Sequence, residues 1–214
     1  MIYLDAAAFE AARLGQAPFP HLVVPNFISA ENVARIAADF PHLPGAGAFP
    51  PRALRPSGHF ASLIEELCAP WLRQAVEAKF NIDLARHPLV WTARGYVRER
   101  DGAVHTDTQS KLVTLLLYLN EGWTSPGGRL RLLRSRDTLA DPVVEVPPEG
   151  GTLLVFPRSD QSWHGHLPYA GERRAIQLNF MRDAKGAARE QVRHLLSARV
   201  KQCAALLRGG WKQR

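Results

Sequence analysis

From Leu89 onward the chain reads as short blocks of apolar and β-branched residues cut by Gly, Pro, Asp and Asn. Blocks near 89–98, 111–119, 128–133, 143–146, 152–156, 161–166 and 173–180 each have the length of a strand. That many short strands in succession predict a sandwich or barrel. Before Leu89 the period is helical. Ser29 is a predicted N-cap for a helix running to about Phe40, after a short strand and loop over 19–28. Phe60, Leu63, Ile64 and Leu67, then Trp71, Leu72, Ala75, Val76 and Phe80, recur at helical spacing, with Pro70 as the break between two helices. Between the first helix and these, Pro41, Pro44, Gly45, Gly47, Pro50, Pro51 and Pro56 leave 41–58 irregular. That segment is a candidate lid in which Arg52, Arg55 and His59 meet a substrate. A last helix is predicted from about Ala187 to Leu207. Val192, Leu195, Leu196, Val200, Cys203, Leu206 and Leu207 form its apolar stripe, which is expected to dock on the rest of the chain.

Helices that flank the strands without alternating with them predict an α+β fold, helices packed on one sheet of an all-β core. The chain divides into a strand and helices over 1–88, the β core over 89–181 and a basic amphipathic helix over 182–214, read together as one domain. Composition agrees: 46% hydrophobic and 22% charged residues in 214 exclude a disordered, collagen-like or coiled-coil chain. The net charge of +7 changes the picture less than it promises, because residues 182–214 hold nine Lys and Arg against two acids and the remainder is balanced. Without aromatic and basic interleaving or zinc-finger spacing, a nucleic-acid partner is disfavoured. Leu112–Leu119, broken by Thr114, falls short of a bilayer span. Asp5 and Glu10 precede the first basic residue, Arg13, against a secretory signal. Cys68 and Cys203 form no paired motif, so a reducing, cytoplasmic setting is expected.

Candidate chemistry begins at His105-Thr106-Asp107, just before the strongest strand. On an extended backbone positions i and i+2 face the same way, so imidazole and carboxylate can reach one ion. About sixty residues on come His164-Gly165-His166 and then Gly171-Glu172-Arg173-Arg174. Two His and one carboxylate leave open coordination positions, as non-haem Fe(II) requires to take a cosubstrate and O₂. An Arg on a neighbouring strand can hold a carboxylate through two parallel hydrogen bonds. Parity leaves His164 and His166 both eligible. It does separate Arg173, which aligns with Ala175, Gln177 and Asn179, from Arg174, which shares the apolar row of Ile176, Leu178 and Phe180. Lys111 and Thr114, just past the iron motif, read as surface or barrel lining. Arg129, Arg131, Arg134 and Arg136 fit either a solvated strand face or an entrance for an acidic substrate.

In these residues the chain resembles the Fe(II)/2-oxoglutarate-dependent dioxygenase superfamily, in its prolyl-4-hydroxylase-like branch. The motifs, with Leu115 to Asn120, Gly127 to Leu130 and Gly151 to Phe156, cover about 89–181. The resemblance implies a double-stranded β-helix (jelly-roll) core, Fe(II) held by His105, Asp107 and His164, and 2-oxoglutarate bound through Arg173. His164 takes precedence over His166 by the family's spacing, and Tyr96 falls where a cosubstrate-contacting residue is often found. The implied activity is hydroxylation of an unactivated C–H bond of a small molecule or peptide, consuming O₂ and releasing succinate and CO₂, with ascorbate a possible assistant. Asp107 occupies the position a halide would need, which disfavours a halogenase. A non-catalytic jelly-roll that binds a metal or ligand is the alternative, and a basic nucleic-acid-binding protein a second one. Arg129 and Ala175 depart from the family's usual acid and Ser.

Overall fold

The strand blocks and the helical segments occupy the predicted places. In the computed structural model, which describes residues 2–210 and the side chains of the last helix through Ala205, the order is α1 (Ala6–Ala11), β1 (Leu14–Gly15), β2 (His21–Val24), α2 (Ala30–Ala38), α3 (Gly58–Leu67), α4 (Pro70–Phe80), β3 (Leu89–Val97), β4 (Lys111–Tyr118), β5 (Leu130–Leu133), β6 (Pro142–Val146), β7 (Leu153–Pro157), β8 (His164–His166), β9 (Gly171–Met181) and α5 (Ala184–Gly210). Ser29 caps α2 by accepting from the Asn32 amide, and Pro70 opens α4 at a position where no amide proton is needed. Helix α1 and strand β1 lie outside the sequence prediction. Asp5 caps α1, accepting from the Ala8 amide.

Two antiparallel sheets face each other. The larger runs β1-β2-β7-β4-β9-β3 and the smaller β6-β5-β8. The continuous apolar run of β4 follows from burial on both faces. Val113, Leu115 and Leu117 join Ile176, Leu178 and Phe180 in the core beneath α2, α3 and α4, whereas Leu116 and Tyr118 pack inward with Leu130, Leu132 and Phe156. All helices before β3 sit on the outer face of the larger sheet, and the space between the sheets is left for chemistry.

Two expectations are overturned. The segment 41–58 is pinned: Leu43 and Phe49 are buried in the core, and Phe49 exchanges both backbone hydrogen bonds with Ala93 of β3 at 2.9 Å. Arg52 and Arg55 face solvent, and His59 meets the Tyr3 hydroxyl at 2.9 Å instead of a substrate. Only Gly47 and Ala48 of this segment reach the space between the sheets. Helix α5 reverses its predicted face. Val192, Leu196 and Val200 are 55%, 61% and 69% exposed, while Ala187, Glu190 and Ala198 are buried. The stripe residues Leu206 and Leu207, and residues 211–214 of the basic tail, lie outside the described side chains. A polar stripe of Glu190, His194, Ser197 and Lys201 at spacings of four, three and four faces inward instead, and Gln202 donates to the Ala53 carbonyl at 3.0 Å.

Replacing Phe49 with Ala is expected to cost about 3–5 kcal/mol of stability in denaturant unfolding, the range for a truncated buried Phe. It is also expected to speed trypsin cleavage after Arg52. Cleavage as slow as in the wild type would show that other contacts hold the segment.

Candidate metal centre

Three loops and strand ends converge between the sheets. His105 lies in the loop before β4, where its backbone amide and carbonyl pair with those of His164 in β8, both at 2.9 Å. This bridge brings the imidazoles of His105 and His164, distant in sequence, to a ring separation of 4.4 Å. Asp107 follows by two positions, and ligand atoms of His105, Asp107 and His164 all lie within 4.8 Å of one another. Arg158 fixes the loop from the far side, donating to the Asp107 carbonyl at 3.1 Å.

The protonation pattern suits a cation. His105 Nδ1 sits 2.8 Å from the Ala103 carbonyl and His164 Nδ1 2.9 Å from the Ser162 carbonyl. A carbonyl only accepts, so both Nδ1 atoms carry the proton and both Nε2 lone pairs are free to ligate. Burial holds the His164 imidazole neutral by pulling its pKa from 6.5 down to about 4. Asp107 is also desolvated, which by itself would raise its pKa. The Lys111 ammonium at 2.6 Å, His164 and the Thr114 hydroxyl at 2.5 Å outweigh that and bring it from 3.8 to about 2. Two imidazole nitrogen donors and one charged oxygen donor result, a set that fits Fe(II).

Arg173 is buried on the inward face of β9. Its Nε donates to the Gly128 carbonyl at 2.7 Å, and its guanidinium lies 5.1 Å from the centre of the Tyr118 ring. Arg174 points the other way, toward Glu172 and the Phe40 ring. The residues on the inward face of β9 line a cavity of about 570 Å³ with the three candidate ligands. His166 also lines it but lies outside the ligand cluster. Its amide bonds the Gly102 carbonyl at 2.9 Å, and a Cβ on Gly102, whose φ is +94°, would stand 2.4 Å from the ring. Tyr96 stands at the rim, 40% exposed.

Several lining residues escaped the sequence reading. Lys111 and Thr114, read as ordinary lining, grip the Asp107 carboxylate. Arg94 projects into the cavity from β3, where its parity with Thr92 was the available signal. Glu190, His194 and Lys201 reach in from α5 at helical spacing. Conversely, Arg129 and Arg131 are turned to Glu145 of β6, at 3.6 and 2.7 Å, and none of the four arginines over 129–136 lines the cavity, so the entrance for an acidic substrate built on them falls away.

Residues 91–181 match the 2OG-Fe(II) oxygenase superfamily. Among solved structures, a prolyl 4-hydroxylase from Phytophthora capsici is 20% identical with a TM-score of 0.53, covering 77% of this chain and 59% of its own. The viral collagen prolyl hydroxylase of Paramecium Bursaria Chlorella virus-1 is 15% identical with a TM-score of 0.52, covering 75% and 88%. A Pseudomonas putida prolyl-4-hydroxylase is 24% identical with a TM-score of 0.49, covering 76% and 88%. The first two likenesses show the jelly-roll fold. No curated protein matches in sequence.

The metal-free protein is expected to lose stability as pH falls from about 6.5 to about 4, because the unfolded His164 takes up a proton over that window and the folded one does not. Asp107 adds a further loss from about 3.8 down to about 2, its folded carboxylate resisting protonation that the unfolded one accepts. Unfolding free energy measured across pH, with His164→Gln flattening the upper window, checks this. An unchanged slope in the variant would assign the effect to other groups.

Proposed function

Since residues 91–181 match the 2OG-Fe(II) oxygenase superfamily, we propose that this chain hydroxylates a C–H bond of a small-molecule or peptide substrate, with His105, Asp107 and His164 holding the iron. The convergence of two imidazoles and one charged carboxylate on a point, donor atoms within 4.8 Å, carries the reading. Fe(II) with 2-oxoglutarate and O₂ supplies oxidising power that no side chain has, one oxygen atom leaving in succinate and the other in the hydroxylated product. The chain's own work is positional. Lys111 and Thr114 fix the plane of the Asp107 carboxylate, and the Ala103 and Ser162 carbonyls fix the two ring tautomers.

Arg173 is the proposed partner of the distal carboxylate of 2-oxoglutarate. Its Nε is held by the Gly128 carbonyl and one Nη2 hydrogen by the Tyr118 hydroxyl at 3.4 Å, and among the described residues no carboxylate pairs with it, so its other N–H groups are available to a planar anion. Tyr96, at the rim, is the proposed outer contact of the cosubstrate. The helices over 1–88 and α5 are proposed to act with the jelly-roll as one oxygenase unit, since the helices complete the outer core and α5 covers the cavity. The free, exposed Cys68 and Cys203 support a reducing, cytoplasmic setting, and among the described residues no helix is long and apolar enough to cross a membrane. The neighbours' prolyl hydroxylase activity makes prolyl peptides one class to test. A nucleic-acid role loses support, since α5 turns Arg193 and Lys201 toward the cavity.

The protein is expected to bind one Fe(II) per chain and to release succinate slowly from 2-oxoglutarate under O₂ and ascorbate, even without its substrate. His105→Ala or Asp107→Ala should abolish this. Absence of both iron binding and succinate would leave a non-catalytic jelly-roll. Arg173→Ala should weaken 2-oxoglutarate binding by ~2–4 kcal/mol, the scale for stranding one member of a buried charge pair. Arg174→Ala should change the measured Kd little, and the reverse order would remove Arg173 from the cosubstrate site.

A further inference from the structure

The cavity holds more positive charge than iron and cosubstrate can use. Six cations line it, Arg94, Arg98, Lys111, Arg173, Arg193 and Lys201, against the carboxylates of Asp101, Asp107 and Glu190. Each carboxylate has its partner: Arg98 on Asp101 at 2.9 Å, Lys111 on Asp107 at 2.6 Å and Arg193 on Glu190 at 2.8 Å. Arg94, Arg173 and Lys201 have no acid among the described residues. Fe(II) brings two positive charges and 2-oxoglutarate two negative ones, so loading the proposed centre leaves the excess as it was. With Arg173 given to the cosubstrate, Arg94 and Lys201 remain.

Arg94 is the stronger of the two observations. Its Nε is buried and is the one buried side-chain nitrogen or oxygen without a hydrogen-bond partner among the described residues. A desolvated N–H donor without an acceptor is costly, and native structures keep such groups where a ligand satisfies them. Lys201 comes from α5, which packs against β3. Helix α5 carries it over the mouth, its ammonium 5.3 Å from the centre of the Phe49 ring, beside Gly47. Burial makes both groups easier to deprotonate, and nearby cations add to the effect: Arg173 on Arg94, and Arg98 and Arg94 on Lys201. Cations crowded in this way are stabilised by an anion, and the guanidinium offers a planar fork for one.

We propose that the substrate of this enzyme is a small anion whose carboxylate or phosphate group docks between Arg94 of β3 and Lys201 of α5. The inference rests on the oxygenase reading above and adds the substrate class to it. A cavity of about 570 Å³ shared with the cosubstrate is the size for a small molecule. Helix α5 is then a specificity element: its inward polar stripe supplies one wall of the substrate site, which explains why the polar face of this helix is covered and the apolar face is left in solvent.

The test uses full-length protein loaded with Mn(II) and saturating 2-oxoglutarate, titrated calorimetrically with sulfate or with acetate at constant ionic strength in chloride. Saturable binding of either probe is expected, sulfate ahead marking a phosphate group and acetate ahead a carboxylate. Arg94→Met and Lys201→Met should each weaken it about tenfold or more, and Arg94→Lys should restore part of the loss, which separates charge from folding. The Kd for 2-oxoglutarate should stay within about threefold of wild type in Lys201→Met and Arg94→Lys. Loss of cosubstrate affinity in the Arg94 variants as large as in Arg173→Ala would place Arg94 in the cosubstrate site and overturn the proposal while leaving the oxygenase intact. Absence of anion binding to the loaded wild type, or succinate release driven by an uncharged peptide equally in wild type and Arg94→Met, would also overturn it. Failure of the wild type to bind 2-oxoglutarate at all would overturn both readings together.

Discussion

Strand β9 separates an apolar core from a charged cavity, and its register between β3 and β4 keeps the two apart. Ile176, Leu178 and Phe180 pack outward beneath the helices, while Arg173, Gln177 and Asn179 face inward. The pairing is long: β9 meets β3 from Leu89 opposite Phe180 to Val97 opposite Gly171, and β4 from Lys111 opposite Met181 to Tyr118 opposite Ala175. A slip by one residue would drive a guanidinium into the core and three large apolar side chains into the cavity. The cost of either forbids the slip, so the apolar face that stabilises the fold also sets which arginine reaches the chemistry.

Within that frame the metal centre is a problem of charge in a low-dielectric place. Asp107 stays ionised because Lys111 and Thr114 supply what water would have supplied, and His164 stays neutral because burial outweighs the pull of Asp107 and the Ser162 carbonyl toward the charged form. The reciprocal backbone bridge between His105 and His164 spends main-chain hydrogen bonds, which side-chain motion does not disturb, on the one distance that metal binding needs fixed. The donor set is held before any ion arrives, which keeps the entropy of assembly out of the binding step.

Helix α5 illustrates the limit of periodicity. The stripe of Val192, Leu196 and Val200 and the stripe of Glu190, His194, Ser197 and Lys201 are equally regular, on opposite sides of the helix. The general preference for burying apolar residues chose the first. The cavity chose the second, because a wall that faces cations and a carboxylate is stabilised by polar partners, with Glu190 held ionised by His194 and Arg193. Phe49 and Leu43 show the same limit in the segment 41–58, whose Pro and Gly content concealed two core residues that fill gaps beside β3.

The sequence by itself determined the strand blocks, the cap at Ser29, the helix start at Pro70, the faces of β9 and the closely spaced pair of His105 and Asp107, since each depends on local spacing: two for a strand, three to four for a helix, and fixed turn chemistry between them. It placed Arg173 inward for the same reason. Only the tertiary structure decided what lies across the cavity from what. Lys111 meets Asp107, Arg94 stands among cations without an acid, and Lys201 arrives from a helix more than a hundred residues away in sequence. Those meetings depend on how two sheets close and where a terminal helix comes to rest, and no periodicity along one chain segment encodes them, because charges interact through space and a local pattern records only neighbours along the backbone.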